Sequence, residues 1–213
     1  MIYLKITIDN APTFNINDFE NVESTKVFDA DGELIADLGL VSRENVSYDE
    51  MPQSLIDAFV SIEDSRFFEH NGFDLPRFVK SLLENLKTLS FSQGASTLSM
   101  QLVRSVYFTD DATQTSRVKS IEYKIQQIYL AIKAEEEISK KRIFELYVNR
   151  INFGASTTRG VKGAAQYYFG KDVSELSLSE SAYLAGVINA PNYFNAYKNL
   201  DIGTERRNTV LAL

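Results

Sequence analysis

From Asp49 onward the apolar residues recur at helical spacing, and that one feature assigns the chain to the mostly α class. Leu55, Ala58, Phe59 and Ile62 share a face behind Pro52, which suits a helix start, and this helix is expected to run to about Glu69. Further helices are expected over 76–89, 96–107, 115–136, 139–149, 160–168 and 178–189, with Gly, Asp, Thr and Asn clusters between them. Ile121, Ile125, Ile128 and Ile132 form one stripe, expected to face the core. The first 45 residues read differently. Residues 2–8 alternate loosely, as a strand does, and Lys26-Val27-Phe28 and Leu34-Ile35-Ala36 flank a turn-rich segment in the manner of a β-hairpin. The expected organisation is a small β segment over 1–45 and a helical domain over 46–213; residues 1–23 carry no functional signal.

With 213 residues, 44% of them hydrophobic, the chain can bury one substantial core. Its net charge of −7 argues against nucleic acid as a partner, so any polyanion site must be a local concentration of cations. The absence of cysteine excludes disulfides and thiolate metal sites. No run of about 18 apolar residues could span a bilayer, and Met1-Ile2-Tyr3-Leu4-Lys5 is too polar a start for a signal peptide. Val210-Leu211-Ala212-Leu213 ends the sequence within a helical pattern, which reads as an excised domain whose anchor is absent.

Four segments could carry chemistry. In the first, Glu63, Arg66, Phe67 and His70 follow helical i, i+3, i+4 and i+7 spacing. A carboxylate beside aromatics can serve as a general base, although the same residues also suit a solvated helix end. In the second, Gly94-Ala95-Ser96-Thr97 leads into a helix carrying Gln101 and Arg104, an amide and a guanidinium suited to phosphate oxygens; ordinary capping is the alternative. In the third, Lys119 and Glu122 are neighbours on one helical turn after Arg117. In the fourth, Ser139 can cap a helix with Lys140, Lys141 and Arg142 at its start and Tyr147 and Asn149 at its end.

The order of these segments resembles glycosyltransferase family 51, the peptidoglycan transglycosylase domain of class A penicillin-binding proteins and of monofunctional transglycosylases. The similarity runs from about Ser24 to Leu213. Glu63, Asp64, Phe67, His70 and Gly72 match the family's first motif, and Gly94, Ser96, Thr97, Gln101 and Arg104 its second. Lys119 and Glu122 are matched to the third, Lys140, Ile143, Tyr147 and Asn149 to the fourth, and Arg206, Arg207, Asn208, Val210 and Leu211 to the fifth. Tyr168-Phe169-Gly170-Lys171, the 180–186 stretch and Ala190-Pro191 also follow the family pattern. Met100 stands where the family has a second glutamine, Arg104 where it has lysine, and Val118 where it has arginine.

The resemblance implies a lysozyme-like, two-lobed helical domain that polymerises lipid II into β-1,4 glycan strands and releases undecaprenyl pyrophosphate. Glu63 is implied as the base that deprotonates the acceptor 4-hydroxyl, in an inverting displacement. Glu122 is implied on the leaving-group side, acting with Lys119, Arg104, Arg117 or a divalent cation, Mg or Mn, for which Glu122 is the candidate ligand. Substrate contacts are implied at Asp64, Phe67, Ser96, Thr97, Gln101, Arg104, Arg117, Lys119, Lys140, Tyr147 and Asn149, with His70 orienting rather than transferring protons. A small lobe around 73–115 is implied to face the membrane, and 73–87 to dip into the interface. The implied setting is the extracytoplasmic face of a bacterial membrane, with the growing glycan chain as partner and a transpeptidase domain following Leu213. Two rival readings are a glycan hydrolase of the lysozyme type, which needs no cationic pyrophosphate site, and a noncatalytic assembly module of the same fold.

Overall fold

The computed structural model describes residues 2–20, 26–31, 33–37, 45–88, 96–108, 117–154 and 160–213. They contain nine α-helices and one two-stranded antiparallel sheet. The chain divides into two compact units, each made of two separate segments: Met1–Glu20 with Arg66–Tyr147, and Asn21–Ser65 with Val148–Leu213.

The first unit holds α1 (Ile2–Asp9), α3 (Leu75–Thr88), α4 (Leu98–Tyr107), α5 (Arg117–Glu137) and α6 (Lys140–Val148), the last ending at the unit boundary. Thr97 caps α4, its hydroxyl oxygen accepting the Met100 amide at 3.2 Å, a contribution of about 1 kcal/mol. The helix then buries Leu98, Met100, Leu102 and Val103 and packs on α5, which buries Leu130, Ala131 and Ala134. Each large side chain removed from water here is worth roughly 1.5–3 kcal/mol. The small residues of α5 allow a close approach: a Cβ on Gly72, which has φ +85°, would lie 2.6 Å from the Ala131 carbonyl. The isoleucine stripe is therefore not the core face of α5. Ile121 is 57% exposed and Ile132 37%, while Leu130, Ala131 and Ala134 take the interior.

Residues 2–9 form a helix, against the expected strand. Their loose alternation fits either period, and tertiary partners decide: α1 packs on α5, where Gln126 Nε2 donates to the Thr7 carbonyl at 3.0 Å and the Tyr3 hydroxyl to Glu122 at 3.2 Å.

The second unit holds β1 (Lys26–Phe28) and β2 (Leu34–Asp37), paired antiparallel, with α2 (Gln53–Glu63), α7 (Gly160–Phe169), α8 (Leu178–Val187) and α9 (Leu200–Leu211). A capping box of Ser177 and Glu180 starts α8, and every residue from Ser181 to Val187 is buried. On one side α2 seats Leu55, Ile56 and Phe59 against it, with the Ser54 and Ser181 hydroxyls 3.2 Å apart. On the other, α9 comes so close at Gly186 that an added Cβ would meet Arg206 Cγ at 3.0 Å.

The helix expected to reach Glu69 stops at Glu63. Asp64 leaves the helical region at φ −156°, ψ 72°, and 65–72 are turns and bends that end at Gly72. Short polar residues and a glycine with positive φ favour that path over continued helix, so Glu63, Arg66, Phe67 and His70 do not share a helix face.

Candidate active site

In the first unit the second motif gathers around a residue outside every motif. Lys124 Nζ donates to Ser96 Oγ at 2.6 Å, immediately before the Thr97 cap of α4. Burial lowers the Lys124 pKa below the ordinary lysine value, and the neighbouring Arg104 guanidinium lowers it further. Among the described residues neither cation forms an ion pair with a carboxylate. Lys124 stands at the N-terminus of α4, whose dipole also disfavours positive charge, and Arg104 lies in the last turn of the same helix; an incoming polyanion would relieve the repulsion between the two cations. Sequence reasoning passed over Lys124, although a signal existed: it interrupts the Ile121, Ile125, Ile128 stripe with a charge.

Further along α4, Gln101 Oε1 accepts the hydroxyl of Tyr147 at 3.2 Å, so the second and fourth motifs meet. Tyr147 is buried. Thr97 is buried too, and its hydroxyl donates to the Gly72 carbonyl at 2.7 Å while capping α4. Its oxygen and proton therefore join the first motif to the second. Met100 is fully buried, so that position faces the core. Phe67 is buried against Phe144, and the Lys140 ammonium lies over its ring, 4.4 Å from the centroid. His70 is 7% exposed, with Nδ1 3.4 Å from Lys140 Nζ.

Glu122 takes another direction. Two residues along a helix turn the side chain by about 200°, and Glu122 accepts from Tyr3 on α1 while Lys124 reaches Ser96. Glu122 and Lys124 thus meet different neighbours, Tyr3 and Ser96. The side chains of Arg117 and Lys119, like Gly94, lie outside the described residues. Among the described residues no group of three or more histidines, cysteines and acids could hold a metal ion.

The second unit carries Glu63 as the last residue of α2, half-buried, followed by the fully buried Asp64. Asn149 is buried and pairs with Val46 in both directions, accepting from its amide at 3.0 Å and donating to its carbonyl at 2.8 Å. It anchors the segment that leads into α2. Arg206 donates to the Gly186 carbonyl at 3.1 Å and tethers α9 to α8. A groove of about 440 Å³ near Tyr168, Tyr183, Tyr197 and Arg207 is aromatic, but its hydroxyls serve the fold: Tyr168 donates to the Phe153 carbonyl and Tyr183 to that of Phe194. Burial raises the pKa of both phenols, which keeps them neutral donors.

The family described as Transglycosylase matches residues 31–213. Penicillin-binding protein 1A of Streptococcus oralis is 39% identical over 205 residues, 96% of this chain and 31% of that protein. Penicillin-binding protein 1A of Escherichia coli strain K12 is 40% identical over 187 residues, 88% of this chain and 21% of that protein. That of Vibrio cholerae is 37% identical over 209 residues, 98% of this chain and 24% of that protein. The chain thus spans less than a third of the length of these curated relatives.

Proposed function

Because this chain belongs to the transglycosylase family, we propose that it is a peptidoglycan glycosyltransferase that extends β-1,4 glycan strands from lipid II. The observation that carries the reading is Lys124 bonded to Ser96 with Arg104 near enough to disfavour its charge, two cations that form no ion pair with a carboxylate among the described residues and that suit a diphosphate. A glycan hydrolase has no use for such a pair.

In the proposed reaction Glu63 takes the proton of the acceptor 4-hydroxyl as its oxygen bonds to the donor anomeric carbon. The bond from that carbon to the pyrophosphate oxygen breaks, and the configuration inverts. The negative charge that develops on the departing undecaprenyl pyrophosphate falls to Arg104, Lys124 and the Ser96 hydroxyl. Glu122 receives no step, since its carboxylate is turned to Tyr3. A divalent cation, Mg or Mn, would enter with the pyrophosphate rather than in a protein cage. The setting we propose is the outer face of a bacterial membrane, with the growing glycan as partner and a transpeptidase domain elsewhere in the full-length protein. Leu75, Val79 and Leu83, exposed at four-residue intervals on α3, suit an interfacial stripe, and no helix among the described residues is long and apolar enough to cross a membrane.

The test is polymerisation of purified lipid II in detergent, with and without magnesium. Glu63→Gln is expected to lower the rate by about 10²–10⁴-fold, the usual worth of a general base. Lys124→Gln is expected to weaken donor use by roughly 10–100-fold, mainly through KM, as for a lost hydrogen bond to a charged group. A folded wild type that makes no glycan under either condition would favour the noncatalytic reading.

A further inference from the structure

Glu135 lies outside the motifs, yet two motif residues, Lys140 and His70, and Ser99 of α4 stand around it. Its side chain is 4% exposed. Lys140 Nζ reaches Oε1 at 2.8 Å and Oε2 at 2.7 Å, and the Ser99 hydroxyl of α4 donates to Oε1. His70 Nδ1 stands 3.9 Å from the same oxygen, beyond hydrogen-bonding range, but 3.4 Å from Lys140 Nζ. A carboxylate buried this deeply is tolerated only with a partner charge, and the geometry makes the ammonium that partner. An ammonium has donors only, so His70 Nδ1 must face it as an acceptor, and the ring proton then sits on Nε2.

We propose that Glu135 is a positioning residue: it fixes the direction of the Lys140 ammonium and, through it, the tautomer of His70, while Ser99 holds both to α4. The buried carboxylate thus holds the ammonium, the imidazole and the second-motif helix as one unit. That this unit serves an anionic substrate rests on the glycosyltransferase reading; the tautomer and the coupling do not.

The test uses this chain, in which His70 is the only histidine, so its imidazole nitrogens give one assignable pair of ¹⁵N signals. The wild type is expected to show the Nε2–H tautomer. Glu135→Gln should mix the tautomers, and Glu135→Asp should restore most of the wild-type spectrum. Lys140→Met leaves the carboxylate in place and removes the ammonium, so Nδ1 should take up the proton and turn to Glu135. That variant carries the test if Glu135→Gln does not fold. With lipid II, Glu135→Gln should raise KM roughly tenfold with little change in kcat, a loss of the size seen when an outer partner of a binding side chain is removed. In a Lys140→Met background the same change should add less than about twofold, because the two act as one unit. Additive losses, or a His70 spectrum that ignores both substitutions, would overturn the proposal. A wild type that forms no glycan would remove the glycosyltransferase reading, and the spectra would still decide the role of Glu135.

Discussion

Lys124 keeps a charge that its surroundings disfavour, and this has a pH signature. Its folded pKa lies below its unfolded value, because burial and Arg104 both oppose the ammonium. The folded state is therefore penalised wherever the charge is present, below the folded pKa, and the penalty vanishes as pH rises through that value towards the unfolded one. Lys124→Met should melt higher than wild type at neutral pH, with the difference shrinking in alkaline buffer, and should bind inorganic pyrophosphate more weakly by calorimetry. Wild-type pyrophosphate binding should itself weaken as pH passes through the lowered Lys124 pKa. Pattern in the sequence singles out Glu63, Ser96 and Arg104 as motif residues. It does not single out Lys124 or Glu135, because what distinguishes them is the helix each one faces. The third motif is matched at Lys119 and Glu122, and the cation that reaches Ser96 stands five residues after Lys119 on the same helix.

At the scale of elements, helix existence was readable and so was the buried face of α2, with Leu55, Ala58 and Phe59, whereas that of α5 was not. Periodicity located α3 to α8 within a few residues, since each carries an apolar repeat with caps or breakers at its ends. It failed at 64–72, a segment of turns that ends with Gly72 against the backbone of α5, and at 2–9, where contact with the same helix selects helix over strand. The close approach at Gly72 predicts that Gly72→Ala destabilises the first unit by about 2–4 kcal/mol, from a positive φ combined with a backbone clash. Urea unfolding followed by the ring signals of Phe67 and His70 would measure it. On α3, replacing Leu75, Val79 and Leu83 by serine should weaken sedimentation with anionic vesicles by roughly tenfold per residue, at about 1.5 kcal/mol for each apolar side chain. Lipid II turnover in detergent should stay within about twofold of wild type, because no membrane is needed there.

At the scale of the whole molecule, neither unit is a continuous stretch of chain, whereas the expected division set a β segment over 1–45 against a domain over 46–213 with a small lobe around 73–115. Hydrophobic pattern reports local period, whereas the pairing of 21–65 with 148–213 is a matter of long-range packing. A fragment ending at Tyr147 would leave Leu55, Ile56 and Phe59 of α2 without α8 and α9 to cover them. That fragment is expected to show dispersed proton NMR signals for the first unit only, with residues 45–65 collapsed into random-coil positions. The same interleaving sets an order in time during synthesis. Residues 66–147 separate the two halves of the second unit. At roughly 5–20 residues per second, the apolar face of α2 waits on the order of ten seconds before its partners leave the ribosome. During that interval the nascent chain offers a binding site to any chaperone that recognises exposed leucine and phenylalanine, and its successful folding depends on how well that face is shielded.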